Sequence, residues 1–159
     1  MPVPDAVTFV PVDFNRETLQ SALDEAGYNR AERTLFLWEG VIYYLEAERV
    51  QETLDFAARS AGRSTIAFDY AVTVTPENAA AMYGAQAFSR AMEDYHAREA
   101  LLFTIPDGDI ERFLAERGLR LVRHLDSEEI EQMYLTGDDG KRIGRVSGNF
   151  RLASAQPVR

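Results

Sequence analysis

The sequence contains no cysteine, which excludes a disulfide framework, a thiol nucleophile and any thiolate metal site. It has no apolar run near the ~18 residues that a membrane-spanning helix requires. The opening Met1-Pro-Val-Pro-Asp5 lacks the basic patch and apolar stretch of a secretory signal, so a cytoplasmic protein is expected. Positive charge is in deficit: 17 basic residues face 26 acidic ones, a formal charge of −9. With a pI of about 4.7, broad electrostatic capture of nucleic acid is not expected. Histidine is nearly missing as well, with two copies. His96 sits in a polar, solvated stretch and His124 alternates outward on a late strand. Neither has metal-ligand spacing to a partner, so no metal is expected. No serine sits in a nucleophile-elbow setting. Lys141 follows Gly140 without Walker spacing, and Gly140, Gly144 and Gly148 lie too late for a phosphate loop.

What is present is an ordinary globular composition, 46% hydrophobic and 27% charged over 159 residues. That length fits one domain, residues 1–159. Val7-Thr-Phe-Val-Pro-Val12 reads as a short strand, confined to an edge by Pro11. A helix follows, capped by Asn15, with Leu19, Ala22, Leu23 and Ala26 on one face and Gly27 as its stop. Thr34-Leu-Phe-Leu-Trp38 is a continuous apolar run, which suits a strand buried on both faces. Glu46 to Ala61 predicts a helix with Val50, Leu54, Ala57, Ala58 and Ala61 inward, ended by Gly62, and Ser64 to Phe68 predicts another strand. Thr75-Pro76 starts a helical pattern that runs to about Ala100. Its Ala79-Ala-Ala81 with Met82 and Tyr83 suits packing, and the segment as a whole suits a lid or a substrate-side insertion. Asp107 caps a further helix with Ile110, Phe113 and Leu114 inward and Gly118 as its stop. Asp126-Ser-Glu-Glu129 has the chemistry of a helix start. Leu119 to Leu125 and Val146 to Leu152 alternate and predict an antiparallel pair. The whole is an α/β pattern with a mostly parallel sheet and an antiparallel closing pair.

In open α/β sheets, ligands bind beyond the carboxyl ends of the strands. Three acids stand there: Asp13 after the first strand, Glu39 after the second, and Asp69, beside Tyr70, after the third. An acid after a strand can equally cap the next helix or face solvent. It is their conjunction that favours a site. Gly40 lets the backbone turn sharply directly after a strand. Tyr43 reads as packing, whereas Tyr44 can line a pocket beside Glu39.

Phe9-Val-Pro-Val-Asp-Phe14, Thr34-Leu-Phe-Leu-Trp-Glu-Gly-Val41 with Tyr44-Leu45, and Phe68-Asp-Tyr70 together resemble the leucine carboxyl methyltransferase family. The later Phe103, Ile105-Pro106 and Phe113-Leu-Ala-Glu-Arg-Gly118 with Leu121-Val122 agree, so the resemblance runs from about Val7 to Tyr134. It implies a Rossmann-like class I methyltransferase fold, S-adenosyl-L-methionine as cofactor, and O-methylation of a carboxyl or hydroxyl of a small molecule. Asp13 and Phe14 would hold the adenine, and Glu39 with Gly40 would lie by the methionyl part. Tyr44, Asp69 and Tyr70 would lie toward the acceptor. Methyl transfer needs positioning above all, so no dedicated catalytic acid or base is implied.

The family's sheet has strand order 3-2-1-4-5-7-6, and its first strand, glycine-rich loop and second strand have no counterpart here. The Gly-Glu-Pro turn of relatives is replaced by Arg98-Glu-Ala100. A partial fold lacking the first two strands is therefore expected, truncated or fragmentary, with weak cofactor binding or none by itself. Strand Leu35 to Trp38 would be left as an apolar edge, which invites pairing with another chain. Either Val7 to Val12 pairs with it directly, or a second copy or partner chain covers it. A non-catalytic interaction module derived from the same fold is the alternative function.

Overall fold

In a computed structural model of the chain, the described residues are 6–14, 16–87, 90 and 101–158. The elements are α1 (Leu19–Glu25), β1 (Leu35–Trp38), a 3-10 turn (Ile42–Tyr44), α2 (Ala47–Ala58), β2 (Thr65–Ala71), α3 (Ile110–Ala115), β3 (Leu119–Leu125), α4 (Ser127–Tyr134) and β4 (Phe150–Pro157). The four strands form one sheet in the order β1-β2-β4-β3. β1 pairs parallel with β2, and β4 runs antiparallel to both β2 and β3. Three strands therefore share one direction and the closing strand is reversed. This order and these directions reproduce the 4-5-7-6 portion of the class I methyltransferase sheet, so the fold is α/β and partial Rossmann-like.

Local chemistry explains most boundaries. Thr18 caps α1 by accepting from the Ser21 N–H, and Gly27 at φ 81° ends it where a side chain would be strained. The expected cap, Asn15, lies outside the described residues. On α2, Val50, Leu54 and Ala57 are buried at helical spacing and pack in the core with β2 residues Ile66 and Phe68. Burying a leucine there contributes roughly 1.5–3 kcal/mol. α2 stops at Ala58, and the turn that follows puts Arg63, not Gly62, in the left-handed region at φ 72°. α3 is capped at Asp109 rather than Asp107, and Gly118 ends its turn at φ 69°. At α4, Asp126 accepts from the Glu129 N–H while the Glu129 carboxylate accepts from the Asp126 N–H, a reciprocal capping box.

The two faces of the sheet differ. On one, Trp38, Ile66, Phe68, Tyr70, Ala153 and Ala155 are buried in the same core as residues of α2 and α3. On the other, Leu35 and Leu37 stand 63% and 68% exposed, and Tyr134 of α4 lines a pocket with Leu37. The expectation that β1 is buried on both faces is therefore wrong. No described helix lies over Leu35 and Leu37, and an apolar run cannot by itself distinguish a covered from an uncovered face.

Val7 to Val12 is no strand. Val7 and Phe9 are exposed and the segment joins no ladder. Pro11 has no N–H to give, and intrinsic strand preference yields no strand without a partner. The edge of β1 away from β2 is consequently open among the described residues. The pattern from Thr75 also fails to give one continuous helix. Residues 76–84 form turns, with Asn78 accepting from the Thr75 N–H at 2.7 Å and donating to the Thr73 carbonyl at 2.9 Å. Gly84 at φ 69° interrupts the segment. Residues 91–100, which include His96 and Arg98-Glu-Ala100, lie outside the described residues.

β4 begins at Phe150 and not at Val146 because the preceding N–H groups are taken elsewhere. Val146 donates to Glu131 Oε1 at 2.9 Å and Gly148 donates to the Tyr83 carbonyl at 2.6 Å. A Cβ on Gly148 would lie 2.6 Å from the Tyr83 nitrogen, so this approach demands glycine. Glu131 is buried, with Oε2 2.5 Å from Arg142 and Oε1 3.5 Å from Arg145. It ties α4 to the loop before β4. Among the described residues no helix is long and apolar enough to cross a membrane.

Candidate functional site

The parallel pairing of β1 with β2 ends at Trp38 and Phe68, but β2 continues to Ala71 along β4, so Asp69 and Tyr70 lie within the strand and not after it as expected. Glu39 leaves β1 where Asp69 is the first β2 residue beyond the parallel pairing, which sets the two acids side by side. Gly40 takes φ 70° directly after Glu39, a conformation that favours glycine. Its N–H donates to Asp69 Oδ1 at 2.7 Å. The Tyr43 hydroxyl donates to the same carboxylate, and burial together with the Asp69 charge pushes its pKa up to about 12. Asp69 thus pins the Glu39-Gly40 turn to β2. It is a positioning residue as well as a wall of the adjoining pocket.

That pocket encloses about 210 Å³ on the uncovered face and is lined by Leu37, Glu39, Asp69, Arg123, Tyr134 and Leu152, among others. Glu39 is exposed, and among the described residues its carboxylate has no hydrogen bond or ion pair. Tyr44 is 40% exposed and packs edge-on against Tyr43 with ring centroids 4.7 Å apart, beside the turn. Glu39, Gly40 and Asp69 are brought together, while Tyr44 contacts Tyr43 and is not among the residues that line the pocket beside Glu39.

The other expected site residues lie elsewhere. Tyr70 is on the covered face, opposite to Asp69 because successive strand residues alternate. Its hydroxyl is 3.1 Å from His124 Nε2, and burial raises its pKa to about 12 although nearby Arg151 opposes the shift. Asp13 ion-pairs with Arg16 at 3.3 Å, and its carbonyl accepts from the Arg16 and Glu17 N–H groups. Phe14 lines a separate groove of about 330 Å³ along β1, with Leu19, Leu23, Leu35 and Trp38. Neither Asp13 nor Phe14 lines the pocket beside Glu39.

Two features escaped the sequence. His124 was expected to point outward, but a bulge between Leu121 and Arg123 shifts the alternation and turns it to the Tyr70 face. Burial and the Arg151 charge lower its pKa. Arg151 is itself buried, donating to the carbonyls of Gly148 and Phe150 at 2.6 and 3.0 Å, with Asp107 at 3.5 Å. The Asp69–Tyr43 link was also missed, although an aromatic hydroxyl four residues after Glu39 was its available signal. Among the described residues no group of three histidines or acids is placed to hold a metal ion.

The resemblance read from the motifs is matched by the family model described as leucine carboxyl methyltransferase over residues 1–58, the segment that carries Asp13, Phe14, Glu39 and Gly40. The later motifs fall outside that match. A comparison with curated proteins returns no match. Among solved structures the chain is similar to magnesium protoporphyrin IX methyltransferase from Synechocystis PCC 6803, at 12% identity and TM-score 0.44, covering 87% of this chain and 57% of that one. It is similar to the pyocyanin biosynthetic protein PhzM at 12% identity and TM-score 0.45, covering 87% and 39%. It is also similar to the mitomycin 7-O-methyltransferase MmcR at 11% and 0.46, covering 87% and 38%. The chain thus spans between 38% and 57% of the length of these three structures.

Proposed function

We propose that the chain is the carboxyl-terminal part of an S-adenosylmethionine-dependent O-methyltransferase acting on a carboxyl or hydroxyl of a small molecule. The observation that carries this reading is Glu39. Its carboxylate is exposed and unengaged among the described residues, at the carboxyl end of the parallel strand pair, on a turn fixed by Gly40 and Asp69. The donor set fits the cofactor's methionyl end, because a carboxylate accepts from an ammonium and favours a nearby sulfonium. When bound, that cofactor supplies an electrophilic methyl group. Glu39 orients the cofactor, Asp69 holds the Glu39 turn, and Tyr44 flanks the side from which an acceptor oxygen approaches. Asp13 and Phe14 serve the adenine only if the segment before α1 moves toward the Glu39 turn. Tyr70 supports the sheet and takes no part in the acceptor pocket.

One strand-end acid is a small share of a cofactor cradle, so this chain by itself binds S-adenosylhomocysteine weakly, with a dissociation constant on the order of millimolar. Calorimetric titration tests this. Glu39→Ala should abolish the heat of binding, and an unchanged titration would remove Glu39 from the site. Micromolar binding by the unmodified chain would defeat the weak-binding claim.

A second reading, a non-catalytic interaction module, is favoured by a different observation: among the described residues β1 presents an open apolar edge, with Leu35 and Leu37 more exposed than buried. On this reading another chain pairs along β1.

A further inference from the structure

We infer that the open edge of β1 pairs antiparallel with β1 of a second copy of this chain, about a two-fold axis at Phe36. This deepens, and rests on, the second reading, in which another chain covers that edge and Glu39 belongs to the interface rather than to a cofactor site. The register follows from backbone geometry. The Thr34 carbonyl accepts from the Thr65 N–H at 2.9 Å, so it points toward β2. In a strand the N–H and C=O of one residue point to the same side and alternate from residue to residue. Phe36 and Trp38 therefore also face β2, while Leu35 and Leu37 direct both groups outward to the open edge.

An antiparallel partner must oppose outward-facing residues with outward-facing ones. With the axis at Phe36, Leu35 of one copy opposes Leu37 of the other, twice, and each pair exchanges both backbone hydrogen bonds. No other two-fold register keeps both leucine pairs of this short strand in the ladder.

Three further features agree with this occupant. The same register places Arg33 of each copy opposite Glu39 of the other, because the pairing continues by two residues at each end. Among the described residues neither side chain has an ion-pair partner within its own chain. The surface is thus self-complementary in charge, as an isologous interface must be. Leu35 and Leu37, exposed on the uncovered face, would bury one another across the axis. On the covered face, the half-buried Phe36 would meet its own counterpart beside the groove of about 330 Å³ that Phe14 and Trp38 line. The product is one continuous eight-stranded sheet, which removes two exposed edges at once.

The test is the mass of the full chain in solution by sedimentation velocity, without cofactor. The expected species has twice the 17.9 kDa of one chain. Leu37→Lys, at a position 68% exposed within the chain, should give a monomer with an unchanged circular dichroism spectrum. Arg33→Glu should weaken the dimer about tenfold by setting like charges opposite each other, and adding Glu39→Arg should restore it. A wild-type monomer at every concentration, a dimer indifferent to Leu37→Lys, or a charge swap that fails to rescue would each overturn the inference. Because no cofactor is present, such a failure leaves the Glu39 titration to judge the methyltransferase reading separately.

Discussion

The two faces of the sheet are built from the same residue types and have opposite fates. Phe68 and Ile66 lie under α2 and are 2% exposed, whereas Leu35 and Leu37, one strand away, are mostly in solvent. The difference comes from what lies above, not from what the strands are made of. Aromatic contacts extend the covered side outward, with Tyr28, Phe36 and Phe56 forming a cluster of tilted and edge-on rings at centroid separations between 5.6 and 6.3 Å. On the uncovered side, α4 is held in place largely by Glu131 and its two arginines. One face is stabilised by packing and the other by a charge clamp.

The largest expected effect breaks that clamp. Glu131→Ala leaves Arg142 and Arg145 without their carboxylate and the Val146 N–H without its acceptor, and should destabilise the protein by about 3–5 kcal/mol. Urea unfolding measures it, and a loss below about 1 kcal/mol would show that the clamp is dispensable. Next comes the packed face: Leu54→Ala, at a fully buried position, should cost about 2–5 kcal/mol. Its counterpart on the uncovered face, Leu37→Ser, should change the stability of the monomer by no more than about 0.5 kcal/mol. Equal losses for these two would erase the distinction between the faces.

A smaller effect is read by pH. Tyr43 and Tyr70 both have pKa values raised to about 12 by burial, against an ordinary tyrosine value of 10.0. Folding therefore favours their neutral forms. That contribution is fully present below pH 10 and is lost as pH rises toward 12, because the unfolded chain releases the protons first. Stability should decline across this window, and two of the seven tyrosines should ionise late in an ultraviolet titration. Tyr70→Phe should remove one late ionisation, and uniform ionisation near pH 10 would contradict the burial of both groups.

Much of this fold is legible in the sequence, because apolar spacing and glycine stops act locally. The α2 face of Val50, Leu54 and Ala57, the Gly27 and Gly118 stops and the Asp126 helix start all follow from residues within a turn or two. What is not legible depends on remote partners. Val7 to Val12 has strand composition, but a ladder needs a neighbour. His124 has an outward phase until a bulge reverses it. Val146 looks like strand until Glu131, fifteen residues earlier in the chain, takes its N–H. In the candidate site, Glu39 and Gly40 were readable from their position after a strand, whereas Asp69 lies inside β2, which runs on to Ala71 because β4 pairs with it. That Asp69 is occupied by Gly40 and Tyr43, and that Tyr70 faces the other way, required the sheet.

On the proposed function, the Glu39-Gly40 turn is the part of this chain that meets the cofactor. Backbone amide NMR during titration with S-adenosylhomocysteine tests it most directly. Fast-exchange shifts should concentrate at Glu39, Gly40 and Asp69, vanish in Glu39→Ala and stay small on α3. Shifts centred elsewhere, or none at Gly40 at saturating ligand, would contradict it.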